Sequence, residues 1–175
     1  MLDVAVAYNR YRFLGNEFLT WLWFMIDTRQ DQLREFVEGI TALEIGNRID
    51  LENRRDDKVE RITIKGDDAD LKEGYLALRK GALVTDLNLV FRSANFRWQF
   101  NIKGESLNIS ALKTPETAPP ENEEDTEAVA LEKISLHEQI TKLLETAFRR
   151  FVHLRTTETW NGATVAQIHQ WLSSP

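Results

Sequence analysis

The sequence predicts an α+β fold, in which helices pack on one face of an antiparallel sheet and a long amphipathic helix follows. Three patterns lead to this prediction. Residues 83–103 contain two runs of alternating apolar and polar residues around a short turn, which is typical of a hairpin covered on one side. Residues 127–155 repeat apolar residues at spacings of three and four, which predicts one apolar helical stripe. The segment "FLTWLWFMI" (18–26) is apolar on every side of a predicted helix.

Composition divides the chain into three regions. Residues 1–114 form a helix plus an antiparallel sheet, residues 115–127 an acidic flexible linker, and residues 128–175 a helical region that packs on the same core. The linker holds six acids, no base and three of the four prolines, so it cannot bury enough surface to offset the entropy lost on ordering. The net charge of −6 is concentrated there, because residues 54–103 carry an excess of three positive charges. This balance neither requires nor excludes a polyanionic partner.

The apolar segment predicts a helix over residues 16–28, with Asn16 as its N-cap. It is too short for a membrane span, which needs roughly 20 apolar residues. The polar stretch before it does not resemble a signal peptide, and the chain has no cysteine, so a cytoplasmic location is expected. A helix that is apolar all round must be covered on more than one side. The cover is either the chain's own core or a second copy, which would contact Phe18, Trp21, Trp23 and Phe24.

Local signals predict the remaining elements. Gly46-Asn47 suits a tight turn between two short strands, with a further strand over residues 59–66. A helix follows, capped by Asp68 or Asp70 and ended by Gly81. The segment "ESLNISALK" predicts another strand, and residues 163–172 predict a last helix.

Basic residues supply the candidate binding site. Three lie on the helix before Gly81 and three on the polar face of the hairpin, namely Lys72, Arg79, Lys80, Arg92, Arg97 and Lys103. If the helix and the hairpin are neighbours, these cations form one strip that binds phosphates without reading bases. The alternative is a solvated surface of mixed charge with no partner.

Catalytic patterns are weak. No glycine-rich phosphate loop is present, and none of the three histidines has a second ligand at helical spacing, so no metal or cofactor is expected. Carboxylates in "RRDD" and "KGDD" allow a metal-dependent nuclease as a remote interpretation. Their position beside arginines at predicted loop ends favours ordinary charged turns, so we expect no enzyme.

The run "LKEGYLALRKGALVTDLNLVFRSANFRWQFNI", followed by an acidic break and a long amphipathic helix, resembles the C-terminal half of the recombination-associated protein RdgC family. The resemblance covers roughly residues 14–155, and the residues that match are Lys80-Gly81, Val84-Thr85, Leu87, Leu89 and Phe91.

The resemblance implies a cytoplasmic or nucleoid protein that binds duplex DNA without sequence preference and modulates RecA-type recombinases. In that family a ring-shaped dimer surrounds a basic hole, and Lys72, Arg79 and Lys80 are the implied hole residues. The family's N-terminal half has no counterpart in this sequence. The expected partners are therefore duplex DNA, a second copy, a recombinase or a separately encoded N-terminal half. The main alternative is an interaction or assembly subunit that does not bind DNA.

Overall fold

The computed structural model describes residues 13–35, 40–55, 58–66, 71–94, 96–120 and 122–173. Their fold is α+β, as the sequence predicts, with a five-stranded antiparallel sheet in the order β2-β1-β3-β4-β5. The elements in chain order are α1 (Phe13–Thr28), α2 (Gln30–Arg34), β1 (Ala42–Arg55), β2 (Lys58–Lys65), α3 (Leu71–Arg79), β3 (Leu83–Ser93), β4 (Phe96–Lys103), β5 (Ile109–Lys113), α4 (Glu123–Arg155), a π-helical turn (Trp160–Thr164) and α5 (Val165–Ser173).

The hairpin of β3 and β4 confirms the alternation read from the sequence. Leu89 pairs with Phe100 and Phe91 with Trp98, and all four side chains are buried in the core. On the opposite face, Asn88 pairs with Asn101. Because successive side chains of a strand point to opposite faces, one face of the hairpin belongs to the core and the other carries polar groups.

The apolar helix α1 lies between this sheet and the C-terminal helices. Phe18 packs on Phe151 at a ring-centroid distance of 5.6 Å, and Phe24 packs on Trp171 at 5.7 Å. Helix α1 begins at Phe13, three residues earlier than predicted, so Asn16 lies within the helix and is not its N-cap. The chain's own elements thus cover every side of α1.

Helix α3 packs on the same apolar face of the sheet as α1. A side chain at Gly74 would meet the Trp23 ring, because an ideal Cβ there lies 2.5 Å from it and 3.2 Å from Ile64. The helix ends as predicted at Gly81, whose φ of 89° is readily adopted by glycine. The predicted caps Asp68 and Asp70 lie outside the described residues.

The turn predicted at Gly46-Asn47 is wrong. Strand β1 runs unbroken through both residues, and its pairing with β3 shifts register between Ile45 and Ile49. An ideal Cβ on Gly46 would stand 1.9 Å from the Asn88 side-chain oxygen. Glycine is required here for close approach to the neighbouring strand, and not for a reversal of the chain.

Helix α4 begins at Glu123, so the last five residues of the predicted linker belong to a helix. The Asn122 side chain accepts a hydrogen bond from the Asp125 amide at 2.8 Å, which caps the helix. Acidic residues in a first turn are stabilised by the helix dipole, which favours helix in this stretch. The apolar stripe is buried only from Leu136 onward, whereas Leu131 and Ile134 are 60% and 55% exposed.

Every helix in the described ranges is too short or too polar to cross a lipid bilayer.

Candidate functional site

The strand register assigns the polar side chains to one face of the sheet. Directly opposed residues share a face, so the pairs Arg48↔Lys65, Asp50↔Asp86 and Arg92↔Arg97 all lie opposite the helices. We call this surface the polar sheet face. The described charged side chains that the strands carry on this face are seven cations (Arg48, Arg61, Lys65, Arg92, Arg97, Lys103 and Lys113) and four carboxylates (Glu44, Asp50, Glu52 and Asp86). Glu105, in the turn after β4, lines a pocket on the same face.

One end of the polar sheet face is electrically compensated. Arg48 contacts Asp50 at 2.8 Å and Arg61 contacts Glu52 at 3.7 Å. The hydrogen bond and the charge of Asp50 raise the pKa of the Arg48 guanidinium further. Ion pairing of this kind leaves little net field for an anionic partner at this end.

Asp86 lies between this compensated end and the cationic end. Burial raises the pKa of its carboxyl group, and the charge of Asp50 opposite adds to that shift. A hydrogen bond from Thr85 and the charge of Lys103 oppose it. The pairing Asp86↔Lys103 thus places Lys103 where it partly offsets two adjacent carboxylates.

The other end is cationic. Arg92 is held by Glu44, since the Arg92 Nε donates to the two carboxylate oxygens at 3.1 and 3.2 Å. Arg97 lies directly opposite Arg92, and it makes no ion pair to any residue that the structure describes. Lys113 lies opposite Gln99 on the next strand and is exposed. We call Arg92, Arg97, Lys103 and Lys113 the cation row.

Side-chain amides occupy the centre of the polar sheet face. The Asn88 amide nitrogen donates to the Asn101 side-chain oxygen at 2.6 Å, and the Asn88 oxygen accepts from Gln99 at 2.9 Å. The same oxygen accepts from the Asn47 backbone amide at 3.2 Å, which joins the irregularity in β1 to β3. This network fixes the strand surface from which the cation row projects.

The six predicted cations do not form one strip. Arg92, Arg97 and Lys103 lie on the polar sheet face, whereas Lys72, Arg79 and Lys80 belong to the α3 region, which packs against the apolar face. Arg79 also donates to the carbonyl of Leu172 in α5. The sheet therefore separates the two groups, and the assumption that the helix and the hairpin polar face are neighbours is wrong.

The predicted dimer-contact residues are part of the monomer core. Phe18, Trp21, Trp23 and Phe24 are at most 4% exposed. Their rings pack on aromatic residues of α3, α4 and α5, which leaves no accessible area for a second copy. The aromatic segment is a core helix, and any contact between copies must use another surface.

No three histidine or acidic side chains converge as metal ligands within the described part of the chain. Asp56, Asp57, Asp67 and Asp68, on which the nuclease interpretation rests, lie outside that part.

Sequence reasoning missed four cations of the polar sheet face, namely Arg48, Arg61, Lys65 and Lys113. The signal for Arg48 was present, because Arg48, Asp50 and Glu52 alternate with Ile49 and Leu51. The turn assigned to Gly46-Asn47 obscured that period. Lys113 could be placed only through the pairing of β5 with β4.

Comparison with known proteins found no family model and no curated protein that matches this chain. The resemblance to the RdgC family stays a sequence-based prediction.

Proposed function

We propose that this protein is a non-catalytic binding protein whose cation row contacts the phosphates of duplex DNA weakly and without sequence preference. The observation that carries the proposal is the excess of three positive charges among the strand residues of the polar sheet face, in a chain whose net charge is −6. A cationic surface on an acidic protein attracts a polyanion locally although the whole molecule does not.

The pairing of two arginines supports a ligand at this position. Arg92 and Arg97 are directly opposed across β3 and β4, and like charges in that arrangement destabilise a sheet. Glu44 compensates only one of them. A phosphate bound between the two guanidinium groups removes the repulsion, and guanidinium is well suited to bind phosphate oxygens in pairs.

Weak, non-specific binding follows from the geometry. The cation row contains four groups on a strand surface, and contacts of this kind to phosphates carry no sequence information. Four phosphate contacts predict a slope of about −3.6 for log affinity against log salt, at roughly −0.9 per contact. The carboxylates at the compensated end restrict the footprint to the region around β4 and β5.

The test is fluorescence anisotropy with a labelled duplex from low to moderate salt. Changing Arg97→Gln and Lys113→Gln together should flatten the slope by about two units and weaken all duplex sequences alike. The matched control is Lys72→Gln with Lys80→Gln, which removes the same charge on the opposite side of the sheet and should leave the slope unchanged.

The two variants separate the possible outcomes. A loss of DNA affinity confined to the helix variant would favour the hole residues implied by the family resemblance, Lys72, Arg79 and Lys80, and would refute the cation row. No binding by the unmodified chain at low salt would refute the DNA proposal itself. Modulation of homologous recombination, which the resemblance implies, depends on a positive result and is tested next by strand exchange with a RecA-type recombinase.

A protein-interaction role is the second candidate. The exposed N-terminal part of α4, which precedes Leu136, favours it. Leu131 and Ile134 project from a helical segment that lies beyond the buried stripe. The described side chains of residues 125–138 include four acids and one lysine, whereas residues 139–155 include four cations and one acid. Two copies of α4 arranged antiparallel would bring acidic and basic halves together.

Light scattering tests the second candidate. A homodimer should give about twice 20.3 kDa at micromolar concentration, and Leu131→Gln with Ile134→Gln should restore the monomer mass. An unmodified chain that is monomeric under these conditions would refute self-association through α4.

A further inference from the structure

Three charged side chains form a line across the polar sheet face, at the border between its compensated end and the cation row. Asp86 on β3 lies directly opposite both Asp50 on β1 and Lys103 on β4. Side chains opposed in this way have Cβ atoms about 4.5–5.5 Å apart, so their charged groups act strongly on one another. Lys103 is exposed and belongs to the cation row. The charge on Asp86 therefore acts on one end of the proposed DNA site.

The two opposed carboxylates have no donor between them. Arg48 holds the Asp50 Oδ2 atom at 2.8 Å, whereas Asp50 Oδ1 is buried and has no hydrogen-bond partner among the described residues. A buried acceptor without a donor lowers stability. A protonated Asp86 has one O–H donor, and its opposed position brings that donor near the Asp50 carboxylate. One proton on Asp86 thus supplies a donor and removes the repulsion between two like charges.

Asp86 lines a cavity of about 800 Å³ on the polar sheet face. The other described charged residues of this cavity come from β1, β2, β4 and the turn after β4, namely Arg48, Asp50, Glu52, Arg61, Lys103 and Glu105. Helix α1 adds only uncharged side chains to the described lining. The two arginines are each held by a carboxylate of β1. Lys103, directly opposite, is therefore the cation that chiefly offsets Asp86.

The titration of Asp86 agrees with this environment. Burial raises the pKa of its carboxyl group above 3.8, and the charge of Asp50 adds to that shift, although a Thr85 hydrogen bond and the charges of Lys103 and Arg48 oppose it. Asp86 therefore takes up a proton at a higher pH than a solvated aspartate does.

We propose that acidification strengthens the binding of DNA to the cation row, because a proton taken up by the Asp50–Asp86 pair removes one negative charge beside Lys103. This regulation rests on the proposed function, since it acts on the same site. At neutral pH two carboxylates offset the charge of Lys103. In the protonated protein, Lys103 lies beside a neutral carboxyl group and a carboxylate that Arg48 already holds, so its charge is available to a phosphate.

Carbon-13 NMR of the aspartate carboxyl groups tests the regulation in the unmodified chain, with and without a short duplex at low salt. Binding and proton uptake are reciprocal, so duplex DNA should raise the titration midpoint of Asp86. Without DNA the midpoint should lie above 3.8 and should fall when Asp50→Asn removes the neighbouring charge. Asp31, 97% exposed on α2, is the internal control and should respond less to DNA. An Asp86 midpoint at or below 3.8, or one that saturating DNA leaves unchanged, would overturn the proposal.

Fluorescence anisotropy at about pH 7.5 and about pH 5 measures the effect on DNA affinity. The unmodified chain should bind more tightly at the lower pH. Asp86→Asn, which has nearly the shape of the protonated side chain, should bind about two- to fivefold more tightly than the unmodified chain at the higher pH, as expected for one partly exposed charge interaction. Its affinity should also respond less to pH.

Asp31→Asn is the matched control for affinity, because it removes the same charge from α2, outside the polar sheet face. Its affinity and its pH response should match those of the unmodified chain within about twofold. The three histidines of the chain lie on α4 and α5 and are present in every variant, so their protonation cancels in the comparison.

The possible outcomes separate the regulation from the proposed function. An unmodified chain that binds no DNA at either pH would refute DNA binding and the regulation with it. Binding whose pH response is the same in the unmodified chain and in Asp86→Asn would refute the regulation alone. Thermal melting verifies that each variant is folded. The NMR titration of the unmodified chain needs no variant, so it decides the question even if Asp86→Asn does not fold.

Discussion

On strand β4, Trp98, Phe100 and Ile102 point into the core, whereas Arg97 and Lys103 lie on the opposite face and are exposed. Alternate residues of one short strand thus meet two different requirements. On the apolar face each side chain must fit its neighbours in volume and shape, because interiors are close-packed. On the polar sheet face most side chains contribute charge, and their exchange costs the fold little. Function can therefore change on one face while the other keeps the fold.

The largest expected effect comes from removing a buried side chain on the apolar face. Phe100→Ala should lower the free energy of unfolding by about 3–5 kcal/mol, since Phe100 is fully buried and its loss leaves a cavity. Arg97→Ala, three residues earlier on the same strand, should change it by less than about 0.5 kcal/mol. Urea denaturation monitored by tryptophan fluorescence measures both. Similar losses for the two variants would contradict the division between the faces.

An intermediate effect is expected where the polar sheet face is itself closely packed. Gly46→Ala should cost roughly 1–3 kcal/mol, because the added methyl group overlaps the Asn88 side-chain oxygen. Asn88→Ala removes that oxygen, so the Gly46 substitution should cost markedly less in its background. A double-mutant cycle measures the coupling. Strictly additive losses would show that Gly46 is required for another reason.

The smallest effect concerns Asp86 on the polar sheet face. Its folded-state pKa is raised above the ordinary value of 3.8, chiefly by burial, so the ionised carboxylate is disfavoured in the folded protein. Its contribution to stability therefore falls as pH rises from about 3.8 through the folded pKa. Asp86→Asn should raise the melting temperature at pH 7 by about 1–2 °C.

The gain from Asp86→Asn should disappear near pH 3, where Asp86 is protonated in both states. Asp31→Asn is the matched control, since its carboxylate is 97% exposed in a surface pair with Arg34. A gain of equal size at both pH values would contradict the burial of an ionised Asp86.

Much of the fold could be predicted because its signals are local. The β3–β4 hairpin follows from period two, and the end of α3 follows from Gly81, whose positive φ needs no distant partner. Gly46 was misread because its role depends on Asn88, 42 residues further along the chain. Sequence shows that this position carries a glycine, but only the packed structure shows whether a turn or a close approach requires it.

The candidate site could be predicted in part. The alternation of apolar and polar residues along β3 and β4 correctly predicted that Arg92, Arg97 and Lys103 share one polar face. The side of the sheet on which α3 packs is a tertiary property, so the separation of Lys72 from the hairpin cations could not be predicted.

The placement of α1 has a consequence for synthesis on the ribosome. This apolar helix is made before the aromatic residues that cover it, Phe148, Phe151 and Trp171. Translation at roughly 5–20 residues per second separates Phe24 from Trp171 by about 7–30 s. During that interval the nascent chain exposes "FLTWLWFMI" without its native cover, so this segment needs protection against aggregation until Trp171 has been made.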